Sequence, residues 1–347
     1  MLIIRCLLSL LLVILCTLPS RPQANLPWDG DARMPIQRCM NLGGALESPR
    51  REGEWGYTIR REDLQRLKDD GFDTVRLPIR WSAHMGMNAP YAIDQPFLDR
   101  VDEIVQWAGQ IGLNIILNVH HYDLLNVRPN IHEKRLEALW DQLAYHYATA
   151  PDFVIFETLN EPHSAMTVRR TDTLNRRLLK RIRIDNPERW VILATADWGS
   201  LDGLKKSRPV YDERAILTYH DYSPFAFTHQ GAPWADPPKP MGVDWGSAED
   251  IADVTAETAS AKAVAERYRM PLFVGEFGVY EKVPLVQRAA WVKARREAYE
   301  AHNMAWCHWD FATTLKAYDA DKQAWLPEMK AALLGPSNPT DMTNTKE

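Results

Sequence analysis

The feature that most constrains this chain is a rhythm of hydrophobicity. Between residues 37 and 309, eight short apolar runs alternate with longer amphipathic stretches. The runs are 37–42 (QRCMNL), 73–78 (DTVRLP), 113–119 (LNIILNV), 153–158 (FVIFET), 190–195 (WVILAT), 215–219 (AILTY), 271–275 (PLFVG) and 304–309 (MAWCHW). Most are nearly continuous rather than alternating, which is how strands buried on both faces read. Between them apolar residues recur at helical spacing: Phe97, Val101, Ile104, Val105 and Ala108; Leu136, Leu139, Leu143 and Tyr147; Leu174, Leu178 and Ile182. Strand followed by helix, eight times over, predicts an α/β fold, a single (β/α)8 barrel. Such a barrel needs about 250 residues plus loops, which a chain of 347 residues supplies. A doubly wound open sheet is the alternative. Residues 223–247, rich in Pro, Gly and Trp, read as a long loop after the sixth strand, so no second domain is visible.

The ends read differently from the middle. Residues 1–24 carry a basic start, an apolar run from Cys6 to Leu18 and a small, polar stretch ending in Ala24. This predicts a cleaved secretory signal, hence a secreted protein, extracellular or periplasmic. The apolar run is short for a membrane span and no later run approaches one, so no membrane association is expected after cleavage. Residues 25–334 then form the barrel domain and 335–347 a polar tail. Removal of the signal leaves 39 basic against 46 acidic residues, a charge of −7 that implies no basic face and excludes nucleic acid as the main partner. Of the four cysteines, Cys39 and Cys307 remain. An exported chain could pair them, but both lie in apolar strand-like runs where buried free thiols are common, and free thiols are the favoured reading. The absence of a C-x-x-C spacing gives no support for a zinc ribbon or redox motif.

A barrel of this kind builds its site at the C-terminal ends of the strands. The polar and aromatic residues there are Arg76, His120, His121, Asn160, Glu161, His220, Tyr222, Glu276 and Trp309. Singly, each reads equally well as packing or a core ion pair. Two carboxylates change the balance, because glycoside hydrolysis needs one carboxylic acid to protonate the leaving oxygen and a second carboxylate across the anomeric carbon. Glu161 and Glu276 are 115 residues apart, about three barrel units, which puts them on the fourth and seventh strands. Glu47, Glu52, Glu54 and Glu157 compete but do not close a strand in the same pattern.

With these residues in place, the chain resembles glycoside hydrolase family 5, the cellulase family, over residues 38–320. The resemblance is carried by Asn41-Leu-Gly-Gly-Ala-Leu-Glu47, Val75-Arg-Leu-Pro-Ile-Arg-Trp81, Asn118-Val-His-His-Tyr122, Leu159-Asn-Glu-Pro-His163, Tyr219-His-Asp-Tyr-Ser-Pro-Phe225, Gly275-Glu-Phe-Gly278 and His308-Trp-Asp-Phe311. It implies Glu161 as acid/base and Glu276 as nucleophile of a retaining enzyme. Asn160 would hold the sugar 2-hydroxyl, Arg76 and Tyr222 would flank Glu276, and His120, His121 and His220 would line the cleft. Trp309 would floor it, and Asn41 and Glu47 would reach the next sugar out. Asp221, beside Tyr222, departs from the family pattern and is expected to point elsewhere. Trp55, Trp81, Trp198, Trp234 and Trp245 are candidate outer platforms, with plain packing the alternative for each.

The resemblance implies action on a β-glucan polysaccharide or oligosaccharide, an endo-β-1,4-glucanase; no cofactor or metal is expected, and a barrel of this size, with no feature indicating an oligomer, is expected to be a monomer. A β-mannanase is the alternative within the family. A metal gathered by His120, His121, His220 and Glu276 is disfavoured because the first strand lacks a His-x-His pair. A non-catalytic sugar-binding protein would need neither glutamate.

Overall fold

A computed structural model describes residues 34–335. The expected signal segment 1–24 and the tail beyond Gly335 lie outside the described residues. In chain order the elements are β1 (Arg38–Asn41), α1 (Arg61–Asp69), β2 (Thr74–Ile79), α2 (Gln95–Ile111), β3 (Asn114–Val119), α3 (Asp123–Val127), α4 (Pro129–His146), β4 (Val154–Glu157) and α5 (Val168–Asp185). There follow β5 (Val191–Leu193), α6 (Leu201–Lys206), β6 (Ala215–Asp221), α7 (Phe225–Thr228), α8 (Ala248–Tyr268), β7 (Leu272–Phe277), α9 (Leu285–Ala301) and β8 (Ala305–His308). A small antiparallel pair, β9 (Tyr318–Asp319) and β10 (Ala324–Trp325), and a last helix α10 (Pro327–Leu334) complete the chain. Strands β1 to β8 pair in parallel, each with the next, and β8 closes on β1. The chain is therefore a (β/α)8 barrel, with each of the eight expected strands in its expected run.

Local chemistry sets the element ends. Thr167 caps α5, accepting a hydrogen bond from the Arg170 N–H, and Ser247 with Asp250 closes a capping box at α8. Gly112 ends α2 with φ of 81°, a left-handed conformation that costs glycine little.

Alternation along the strands divides the core. Side chains facing outward join the helices in one large cluster that includes Val75, Leu77, Ile115, Leu117, Phe156 and Val274. Those facing inward form a second cluster with one layer from Cys39, Ile116, Ile155, Ile192, Ile216, Phe273 and Cys307, with Met34, Ile36 and Trp190 packed onto it. The apolar faces on both sides explain why the strands read as continuous hydrophobic runs.

Cys39 and Cys307 form a disulfide, which corrects the expectation of free thiols. They are 268 residues apart in sequence but opposite one another in the β1–β8 register. Only closure of the barrel makes the first and last strands neighbours.

Candidate active site

The period of two that builds the apolar layer also builds the site. Two residues beyond Cys39, Ile116, Ile155 and Ile216 along their strands stand Asn41, Asn118, Glu157 and Thr218, all buried. The barrel interior thus turns polar one step toward the C-terminal rim.

Arg76 is the hub of that polar layer. Its guanidinium has no exposed surface, and five hydrogen bonds fill its donor set. Nε and Nη2 grip Glu157 at 2.6 and 2.8 Å, Nη2 also donates to Asn160 Oδ1 at 2.7 Å, and Nη1 donates to Asn41 Oδ1 and Glu276 Oε1, both at 2.8 Å. Burial opposes the charge, but Glu157 and Glu276 more than offset this and hold Arg76 protonated. Glu157, set aside in the sequence as a carboxylate that does not close a strand, is the last residue of β4 and anchors this hub.

Glu276, in β7, accepts a second hydrogen bond at Oε2 from the Tyr222 hydroxyl at 2.8 Å. Burial pushes its carboxyl up, while His220, Arg76 and the Tyr222 O–H act in the opposite direction. Glu161 follows β4 with φ of 43°. Its Oε1 lies 2.7 Å from His220 Nδ1, and the same nitrogen lies 3.5 Å from Glu276 Oε2. An oxygen of each carboxylate and His220 Nδ1 fall within 4.8 Å of one another. Burial raises the Glu161 carboxyl to about 7 against a smaller downward pull from Arg76. The two glutamates therefore occupy unlike settings: Glu276 has two dedicated donors, whereas among the described residues the Glu161 carboxyl meets the His220 imidazole, which burial keeps toward the neutral form.

His120 is fixed as a neutral relay. Burial drives its imidazole well below the usual range. Nδ1–H donates to Asn118 Oδ1 at 2.8 Å, leaving Nε2 to accept from Asn160 Nδ2 at 3.4 Å. Asn160 keeps its other amide hydrogen for a ligand. His121 packs edge-on against His120 and Trp55. Trp309, at the end of β8, stacks on His120 with centroids 5.4 Å apart and planes 8° from parallel. Two glycines make room for His220: a Cβ on Gly275 would meet its Nε2 at 2.9 Å, and one on Gly199 its Cγ at 3.2 Å. The ladder is irregular between Val274 and Phe277, which lets Gly275 and Glu276 occupy these positions.

Two expected sugar contacts are corrected. Asn41 has no exposed surface: its Oδ1 accepts from Arg76 and its Nδ2 donates to the Gly275 and His308 carbonyls at 3.0 and 3.2 Å. It braces Arg76 rather than reaching an outer sugar. Glu47 is also buried, accepting the Gly44 and Ala45 backbone N–H groups, and burial raises its carboxyl to about 8. Asp221 points away as expected, to Arg295 at 3.0 Å and Tyr299 at 2.7 Å behind the barrel wall. Among the loop tryptophans Trp81 is wholly buried and Trp245 packs on Phe227, while Trp55, Trp198 and Trp234 are exposed. Trp198 stacks on His163, centroids 4.7 Å apart.

Glu161, His220 and Glu276 have the right atoms for a cation, but Arg76 places a permanent positive charge 2.8 Å from Glu276 and opposes one. His120 is already committed at both nitrogens, which removes it from the metal-binding alternative.

Fold and site together define a class, the (β/α)8 barrel with paired carboxylates at its mouth. The family model described as Cellulase (glycosyl hydrolase family 5) matches residues 40–314, and the chain belongs to that family. It is 31% identical to Endoglucanase H of Acetivibrio thermocellus across 91% of this chain and 34% of that protein. It spans about a third of the length of the first curated relatives it matches. Thermotoga maritima Cel5A in complex with cellobiose is 36% identical with a TM-score of 0.85, covering 88% of this chain and 99% of that one. The same enzyme in complex with mannotriose gives 35% identity, a TM-score of 0.85 and coverage of 88% and 99%.

Proposed function

We propose that the chain is a retaining endo-β-1,4-glucanase acting on β-1,4-glucan or mixed-linkage β-glucan. The observation that carries this reading is the pairing of Glu276, held by Arg76 and Tyr222, with a part-buried Glu161 whose oxygen lies within 4.8 Å of it. Such closeness is in keeping with the roughly 5–5.5 Å carboxyl gap of a double displacement rather than the wider gap of an inverting enzyme.

In the first step ionised Glu276 attacks the anomeric carbon while protonated Glu161 gives its proton to the departing oxygen. The glycosidic C–O bond breaks and an ester to Glu276 forms. Glu161, now a carboxylate, takes a proton from water as its oxygen attacks the same carbon; the ester breaks and both glutamates return to their starting states. Asn160 holds the 2-hydroxyl through its remaining amide N–H, a contact that strengthens as positive charge develops on the sugar. Trp309 supplies the apolar floor. The Cys39–Cys307 disulfide supports an oxidising, extracytoplasmic setting, in keeping with a secretory signal.

A β-mannanase is the second reading, favoured by the likeness to an enzyme that accepts mannotriose. Reducing-sugar release from carboxymethyl cellulose, barley β-glucan and galactomannan, measured beside Glu276→Ala, tests both. Release from the glucans that disappears in the variant supports the glucanase. Release from galactomannan alone overturns the substrate and keeps the mechanism, and activity that survives the substitution overturns the site.

A further inference from the structure

The acidic net charge conceals a basic face. Helix α5 carries seven basic residues against two acidic ones. Part of this charge is answered within the chain: Arg170, Arg177 and Arg181 interlock with Glu133, Glu137 and Asp141 on α4. The other side of the helix is different. Arg169, Arg176 and Lys180 are exposed, are spaced to share one helical face, and have no ion pair among the described residues. Arg169 and Arg176 join Lys206 and Arg208 around a recess of about 580 Å³ between α5 and the end of α6. The one acid lining it, Asp172, is buried, accepts the Arg208 backbone N–H at 2.8 Å and attracts Arg176 and Arg208. Four cations thus converge on a hollow whose lining offers one buried carboxylate against them.

We infer that this recess is an accessory binding site for an anionic polysaccharide, a glycan bearing carboxylate groups on its rings. The inference rests on the reading of the chain as a polysaccharide hydrolase, which makes a matrix polymer the polyanion it meets. Three of the four cations are arginines, whose planar forks match carboxylates bidentately. The recess is concave, and Val168 is the only large apolar residue lining it, so it lacks the protruding apolar face with which a protein enters a bilayer. Neutral glucan in the barrel mouth and acidic glycan at α5 would then engage one enzyme at once, holding it on a composite matrix.

The test is affinity electrophoresis of the full chain through gels containing polygalacturonate, beside Arg169→Gln/Arg176→Gln and a control, Arg181→Gln, on the paired side of the helix. Parallel arms use phosphatidylserine-containing vesicles and duplex DNA, and hydrolysis of soluble neutral glucan is measured on every preparation. Retardation that falls with salt, weakens roughly tenfold in the double variant and persists in the control supports the site. No retardation of the unaltered chain, equal retardation of the double variant, or binding confined to vesicles or DNA overturns it. Hydrolysis should be the same in all three proteins. Failure of hydrolysis with Arg169- and Arg176-dependent retardation intact removes the glucanase reading and leaves the recess standing as an anionic-glycan site.

Discussion

Arg76 and Glu276 are joined by an Nη1–Oε1 hydrogen bond of 2.8 Å, made by a guanidinium that has no exposed surface. The same group grips Glu157 with two other nitrogens and Asn160 with one of them. One buried cation therefore touches both Glu276, the proposed nucleophile, and Asn160, and with His220 and Tyr222 it pulls against the rise that burial imposes on the Glu276 carboxyl. Asn41 and Glu157 fix that cation in place.

Arg76→Lys preserves the charge but not the fork, so it separates these roles. A lysine offers three donors from one point and cannot reach Glu157, Asn160 and Glu276 together. We expect kcat to fall roughly 10²- to 10³-fold with a smaller change in KM, as for a group that acts mainly on the transition state. The acid limb of kcat/KM should also move to higher pH, because a less well-placed cation stabilises ionised Glu276 less. A variant with an unaltered pH profile and kcat would remove Arg76 from the positioning role.

Burial pushes the Glu161 carboxyl up to about 7, so in its proposed acid role the proton-donating form is lost as pH rises through neutrality. The rate of glucan hydrolysis should therefore decline on an alkaline limb centred near that value. Glu161→Gln cannot titrate: we expect it to abolish that limb and to lower kcat on glucan by about 10²- to 10⁴-fold. Persistence of the limb in Glu161→Gln would assign it to another group.

The strands were legible because both faces of each are apolar, and the paired glutamates because each ends up at the same rim. Arg76, His220 and Tyr222 lie where their positions near the strand ends predict. Glu157 is masked in the sequence by the Asn160-Glu161 pair a few residues on, yet the inward alternation Ile155, Glu157 identifies it. Asn118 stands in the same relation to His120 and is recovered in the same way. The disulfide follows from the expected barrel only once the register is known: closure makes the first and last strands neighbours, but whether Cys39 and Cys307 stand opposite one another depends on a stagger that periodicity does not fix. Nor was the burial of Asn41 and Glu47, which depends on loop packing rather than periodicity. The basic face of α5 vanished into a net charge averaged over the whole chain.

Gly275 is a packing requirement of the site. A methyl group there would stand 2.9 Å from both His220 Nε2 and Thr218 Oγ1, too close for any real Cβ, and His220 is itself confined by Gly199 on another side. Gly275→Ala should displace the imidazole from Glu161 and lower kcat by about tenfold or more while the barrel still folds, since overpacking of this size costs about 1–3 kcal/mol. Circular dichroism and kinetics measured together decide the point. An active variant with unchanged kcat would mean that the imidazole position does not matter to catalysis.

The Cys39–Cys307 bond ties the first barrel strand to the last across 268 residues of sequence, and both side chains are fully buried in the lower, apolar layer. Its main effect should fall on the unfolded chain, whose ends it holds together, and a native disulfide of this kind contributes about 2–4 kcal/mol. Cys39→Ala/Cys307→Ala should accordingly unfold at lower denaturant concentration, with activity at ambient temperature little changed because neither sulfur touches the glutamates. The wild-type protein should resist reductant while folded, since the bond has no exposed surface, and should match the variant only when unfolded and refolded with reductant present. Denaturant titrations of the two proteins, each with and without reductant, measure this directly. Coincident curves for oxidised wild type and variant would show that closure of the barrel does not depend on the bond.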